Sequence, residues 1–277
     1  MAKIGVIGLG SIGKRHVTNL LEMGGHEILG CDSSVGQEGW TVGLPIQAVS
    51  DPLIVWDYKP DVVLICTPPA SHAPLTLQAM EVNAHVFIEK PLACHGWETT
   101  GMLVKAKAKH LHLAVAYQLR WQLDGARAAA GLNITWECSQ DMSLWPSQYN
   151  KDILEEFSHE IDAAVFVNGP VEAVTAKASE YGWVILLRHI NCHSEIYLNP
   201  RAVESSRGAY VGTEEIWDFS KCLNDQAYKL ELQSFLAVCQ GQLWDERLCS
   251  GAEAAHVVKI IEACRTSASE CKVVQLA

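Results

Sequence analysis

Two short constellations carry side chains suited to moving protons. The first is Glu89-Lys90-Pro91, directly after the apolar run from His85 to Ile88. At a strand end, a lysine ammonium can donate a proton to a ketone, and its amine, at a lowered pKa, can take one from an alcohol. The alternative is a surface lysine that caps a strand. The second constellation is Glu155, His159 and Asp162, in a stretch that reads as one helix from about Asp152 to Val167. Glu155 and His159 stand four residues apart and so share a helix face, and Asp162 can lie on it too. A carboxylate beside an imidazole fixes its tautomer and raises its pKa. His159 is then the candidate ligand of a hydroxyl and a proton relay. Glu155 is its orienting partner or a second contact, and Asp162 reads as structural. The alternative is an exposed i,i+4 pair worth about 0.2–0.5 kcal/mol.

The N-terminus shows what such groups would act beside. The strand pattern Ile4 to Ile7 runs into Gly8-Leu9-Gly10-Ser11-Ile12-Gly13, and a helical stretch from Lys14 to Met23 follows. In G-x-G-x-x-G, Gly8 allows the turn, Gly10 lets the backbone approach a pyrophosphate, and Gly13 packs helix on strand. The N–H groups of the first helical turn, at Ser11 and Ile12, face the phosphates. A second strand, His26 to Cys31, ends at Asp32, where an acid can accept from a ribose 2′-OH. Its carboxylate repels a 2′-phosphate, and Ser33 and Ser34 add no positive charge, so the expected cofactor is NAD in preference to NADP. The alternative is a glycine-rich structural turn.

Around the loop, strand and helix patterns alternate through residue 116: Asp61 to Cys66, Ala73 to Val82, His85 to Ile88, Trp97 to Lys109 and Leu111 to Ala116. That order predicts a parallel sheet between two helical layers. Beyond Tyr117, strands follow one another with one intervening helix, and two amphipathic helices and a short strand close the chain. The expected fold is α/β, with a dinucleotide-binding domain over 1–116 and an α+β domain over 117–277 built on a mainly antiparallel, open-faced sheet. Ligands favour a cleft between such domains. The 277 residues carry a formal net charge of −11, which argues against nucleic acid as the main partner. The apolar N-terminus is too short for a membrane span and lacks the features of a secretory signal. Ten cysteines are scattered without a C-x-x-C pair, which reads as reduced thiols and a cytoplasmic location. Cys192 and His193 lack further ligands at metal spacing, so no metal is expected.

With these residues together, the chain resembles the Gfo/Idh/MocA family of sugar and inositol dehydrogenases. The resemblance rests on the glycine loop, Asp32, Thr67-Pro68-Pro69-Ala70-Ser71-His72, Glu89-Lys90-Pro91, Tyr117-Gln118-Leu119-Arg120-Trp121, and the run from Glu155 to Asp162. It implies hydride transfer between nicotinamide and a hydroxyl or ketone of a sugar, cyclic polyol or sugar derivative, with the active site between the domains. It also implies that Thr67 and Pro68 line the nicotinamide and ribose pocket. Glu89 is a candidate for the ribose or nicotinamide end, and His72 for either a ligand contact or a helix cap. Arg120 is a candidate for an anionic substrate group, and Trp121, with Trp145-Pro146, for stacking on a sugar. Two departures stand out. Glu155 occupies the family's Asp position with Phe157 in place of Gly, and the second domain is expected to be short. Homo-oligomers are implied. The alternatives are a glycoside-cleaving enzyme that holds NAD tightly and a regulatory protein that binds NAD without turnover.

Overall fold

The structure is a computed structural model that describes residues 1–38, 42–123, 129–141, 152–218 and 225–276. It opens with β1 (Ala2–Ile7), α1 (Ser11–Met23), β2 (His26–Cys31), β3 (Gln47–Val49), α2 (Pro52–Asp57), β4 (Val62–Ile65), α3 (His72–Glu81), β5 (His85–Ile88), α4 (Gly96–Ala108) and β6 (Leu113–Val115). Val62, Val63, Leu64 and Ile65 are all buried, as in a strand covered on both faces. These strands pair in parallel in the order β6-β5-β4-β1-β2-β3. Chain order reverses beside β1, and the loops after β1, β4 and β5 gather at one carboxyl edge. Ligands of doubly wound sheets sit at such an edge. β3 and α2, at three and six residues, are too short to carry a clear period in the sequence, so Lys90 follows the fifth strand of the chain.

Next come β7 (Ile134–Asp141), α5 (Ile153–Glu156), α6 (Ser158–Asn168), β8 (Ala173–Ser179), β9 (Gly182–Arg188), β10 (His193–Asn199), β11 (Arg201–Val211) and β12 (Glu214–Asp218). The chain closes with α7 (Asp225–Cys239), β13 (Cys249–Ser250), α8 (Gly251–Glu270) and β14 (Val274–Gln275). The second sheet runs β12-β11-β7-β10-β9-β8-β14, antiparallel except where β7 meets β10. It has seven strands among the described residues. In β9, Ile185 and Leu187 are buried while Val184 and Leu186 are exposed, which gives one packed face and one open face.

The chain divides into two compact units, Met1–Ala116 with Tyr228–Ala252, and Tyr117–Ala227 with Glu253–Ala277. The assignment of everything after Tyr117 to the second domain therefore differs from the structure over Tyr228–Ala252. The reason is packing. Leu232, Phe235, Leu236 and Val238 of α7 join Ile4, Val6, Leu9, Leu20 and Phe87 in one buried cluster. β13 also extends the first sheet by pairing antiparallel with β6. Among the described residues, no helix is long and apolar enough to cross a membrane, and no group of three or more His, Cys, Asp or Glu is placed to hold a metal.

Candidate active site

The glycine loop leaves β1 through Gly8, whose φ of +91° suits glycine alone, and whose Cβ would stand 2.6 Å from the Cys66 carbonyl oxygen. At Gly13 an added Cβ would meet the Gly8 oxygen at 1.8 Å, so this residue sets how closely α1 approaches the loop. Gly10 is the N-cap of α1, no side chain caps that helix, and a Cβ at Gly10 would meet nothing within 4 Å. The uncapped first turn therefore opens onto space, with the N–H groups and partial positive charge that a phosphate needs. Asp32, directly after β2, accepts the Leu9 N–H at 2.8 Å and the Ser34 N–H at 2.9 Å. Burial pushes its carboxyl up, but the Ser34 and Leu9 hydrogen bonds, with the Lys14 charge, outweigh this and hold it below its ordinary value. An ionised, partly exposed carboxylate therefore stands beside an open anion cradle. This set fits a dinucleotide with a free ribose hydroxyl.

Across the same sheet edge, Lys90 follows β5 and is partly exposed, and the Lys90–Pro91 peptide is cis. Its neighbours are held by their own domain. Glu89 is 9% exposed and accepts from His16 Nε2 at 2.8 Å. Its second oxygen takes the Lys90 N–H at 3.3 Å. Each Glu89 oxygen thus has one donor from its own domain. His72 is fully buried, with Nδ1 2.8 Å from the Pro91 carbonyl and Nε2 2.8 Å from the Thr67 carbonyl. Both ring nitrogens face main-chain carbonyls. Burial lowers its pKa, partly offset by the Thr67 and Pro91 carbonyls and by Glu89 and Glu98. Thr67 Oγ1 lies 2.7 Å from Ser71 Oγ, and the exposed Pro68 leads into the turn before α3. His16 carries no mark of its own in the sequence beyond its place one turn after Gly13.

The second unit treats its candidates differently. The helix expected from Asp152 to Val167 is two helices, because Phe157 takes a non-helical ψ of 22° between α5 and α6. Asp152 caps α5 at the Leu154 and Glu155 N–H groups. Glu155 and His159 therefore lie on different helices, and the simple i,i+4 argument fails at Phe157, a buried residue that the pattern reads as ordinary helix. Glu155 pairs with Arg265 at 2.9 Å, and Arg265 also holds Asp152 at 2.7 Å. His159 is buried, with its ring edge-on to Tyr117 at 5.5 Å. Arg120 is engaged by carboxylates of its own unit. Its Nε and Nη2 grip both oxygens of Asp162 at 2.8 and 2.7 Å, and Nη1 reaches Glu253 at 3.0 Å. The Arg120 and Asp162 side chains have no exposure at all. Trp121 is buried as well. Trp145 and Pro146 lie outside the described residues.

Residues 2–117 match the model of an oxidoreductase family with an NAD-binding Rossmann fold, Gfo/Idh/MocA. The match to this family is confined to the first domain. A myo-inositol 2-dehydrogenase of Thermotoga maritima is 31% identical over 125 residues, 43% of this chain and 37% of that protein. With a second relative of similar extent, the chain spans little more than a third of the length of these curated proteins. A glycosyl hydrolase family 109 protein of Shewanella pealeana is 22% identical, covering 87% of this chain and 70% of that one. Likeness of fold to solved structures extends over the whole chain. The WlbA dehydrogenase of Bordetella pertussis, solved with NADH and UDP-GlcNAcA, superposes with a TM-score of 0.83 at 18% identity, over 99% of this chain and 98% of that one.

Proposed function

We propose that the protein is an NAD-dependent dehydrogenase or reductase acting on a hydroxyl or ketone carbon of a sugar, cyclic polyol or sugar derivative. The observation that carries this is the shared carboxyl edge of the first sheet. It presents the open glycine loop after β1, the Thr67–Pro68 turn after β4 and Lys90 after β5. When bound, the nicotinamide accepts or delivers the hydride. Lys90 holds or moves the proton of the reacting oxygen. Asp32 binds the ribose 2′-OH and sets the preference for NAD over NADP. Thr67 and Pro68 line the ribose and nicotinamide end. His159 is the candidate hydroxyl ligand of the second unit, and Glu155 supports it from α5 through its tie to Arg265. The family match over residues 2–117 and the sugar or polyol dehydrogenases among the similar proteins support the substrate class.

The test is absorbance at the reduced-nicotinamide band, in both directions, with NAD and NADP against inositols, sugars, sugar acids and nucleotide-linked sugars. Lys90→Ala is expected to keep NAD binding and lose turnover by roughly two to four orders of magnitude, the range of a general acid–base group. Turnover that survives the change sinks the role of Lys90. The similarity to a glycosyl hydrolase family 109 protein favours one second reading, a glycoside-cleaving enzyme with retained NAD. That reading is supported if chromogenic glycosides are cleaved with no net reduced nicotinamide.

We also propose a homo-oligomer. Val184, Leu186 and Tyr197 are 45%, 38% and 40% exposed on adjacent strands of the open face, with Val184 directly across from Tyr197. Apolar side chains grouped in this way mark a surface that partners cover.

A further inference from the structure

The segment that carries Lys90 is gripped from both sides by fully buried histidines. On one side, His16 of α1 sits edge-on to Phe87 at 5.6 Å and holds one oxygen of Glu89 at 2.8 Å. A carboxylate only accepts, so His16 Nε2 carries the proton of that bond. The other Glu89 oxygen accepts the Lys90 peptide N–H. On the other side, His72 reaches the Pro91 carbonyl through Nδ1 and the Thr67 carbonyl through Nε2. The residue before Lys90 is thus tied to the glycine-loop helix, and the residue after it to the Thr67 turn.

We propose that His16 and His72 are positioning residues, which together fix the Lys90 backbone against the glycine loop and the Thr67 turn. The proposal rests on the reading of Lys90 as the proton-transfer group. A lysine side chain is long and flexible, so its ammonium is placed only as well as its Cα is. A misplacement of about 1 Å at a reacting group can cost on the order of a hundredfold in rate.

Two carbonyls face the His72 ring, and a carbonyl also only accepts. The ring satisfies both as an imidazolium. As a neutral imidazole it donates to one and turns a lone pair toward the other. Asparagine and glutamine separate the two bonds, because the Asn amide nitrogen falls near Nδ1 and the Gln amide nitrogen near Nε2. His72→Asn retains the grip on Pro91, and His72→Gln retains the grip on Thr67.

The experiment compares His16→Leu, His16→Gln, His72→Asn and His72→Gln with the parent and with Lys90→Ala. Three readouts are taken: hydrogen exchange of the segment Ile88–Pro91 without cofactor, NAD affinity, and kcat and KM separately. His16→Leu is expected to speed exchange at the Lys90 amide and to lower kcat while NAD affinity stays at the parent value. His16→Gln, which keeps a donor for Glu89, restores both. His72→Asn, which still grips Pro91, is expected to keep a higher kcat than His72→Gln. Parental exchange and kcat in both His16→Leu and His72→Gln overturn the proposal, as does a His16→Gln no better than His16→Leu. If Lys90→Ala retains turnover, the reading of Lys90 falls, and the exchange readout still decides whether the histidines hold the segment.

Discussion

Asp32 shows how a single residue acquires its function from a neighbour it did not choose. Its two carboxylate oxygens take N–H groups from Leu9 in the glycine loop and from Ser34 beyond it. The same carboxylate proposed to bind the ribose therefore helps hold the loop. Asp32→Ala is expected to remove the discrimination against the 2′-phosphate and to weaken NAD by roughly ten- to a hundredfold, the worth of a hydrogen bond to a charged group. Titrations with NAD and NADP check it, and an unchanged NAD:NADP ratio overturns it. Residues with a positional reason were legible here: Gly8 for its turn and Gly13 for its close packing. Those whose role depends on distant chain were not. Nothing near His16 in sequence says that Glu89, 73 residues away, is its partner. Nothing near Arg120 says that Asp162 and Glu253 fill its fork.

At the level of elements, β1, β2, β4, β5 and β6 of the first sheet were legible as apolar runs, while the short edge strands β3 and β13 were not. β5, His85–Ile88, is the clearest case. β11, with its run of Glu, Ser, Ser and Arg, has neither that signal nor apolar alternation, and its hydrogen bonds to β7 and β12 alone define it. α7 was legible as a helix but not as a member of the first domain, since an apolar stripe does not name the surface it covers. α6 is joined to the chain after Tyr117 by the Arg120–Asp162 pair, which has no access to water. Charges in such a place are stable only together. Arg120→Met is expected to cost about 3–5 kcal/mol by leaving Asp162 buried and unpaired. The double change to Met and Leu is expected to recover part of that loss. Urea denaturation of the two variants measures both, and a silent single variant overturns the account.

For the molecule as a whole, six histidines bias the response to acid. His26, His72, His85, His112, His189 and His256 all have pKa values lowered chiefly by burial. His85 and His112 stack at 4.8 Å, and for His85 the neighbouring ring adds to the lowering. The folded chain therefore binds fewer protons than the unfolded chain once the pH falls below about 6.5, the ordinary histidine value. Stability is full above that value and is lost as the pH falls toward and through the lowered folded values. Melting temperatures are expected to be level above about pH 7 and to drop through about pH 6. A level curve from pH 7 to 5 contradicts this. The open sheet face makes a second prediction at this scale: Val184→Glu with Leu186→Glu dissociates the oligomer in sedimentation, while a monomeric parent removes the premise.

The division of the chain also sets a timetable. The cluster beneath the glycine loop needs Leu232, Phe235 and Leu236, and the first sheet needs β13, yet more than a hundred residues of the second domain are translated in between. At about 5–20 residues per second, a ribosome takes on the order of ten seconds to pass from β6 to α7. Through that interval Ile4, Val6 and Leu9 wait without the apolar side chains that will cover them, so the nascent chain offers chaperones a sticky, half-built nucleotide fold. The glycine loop leaves the ribosome well before α7, and it gains its finished surroundings only when α7 arrives.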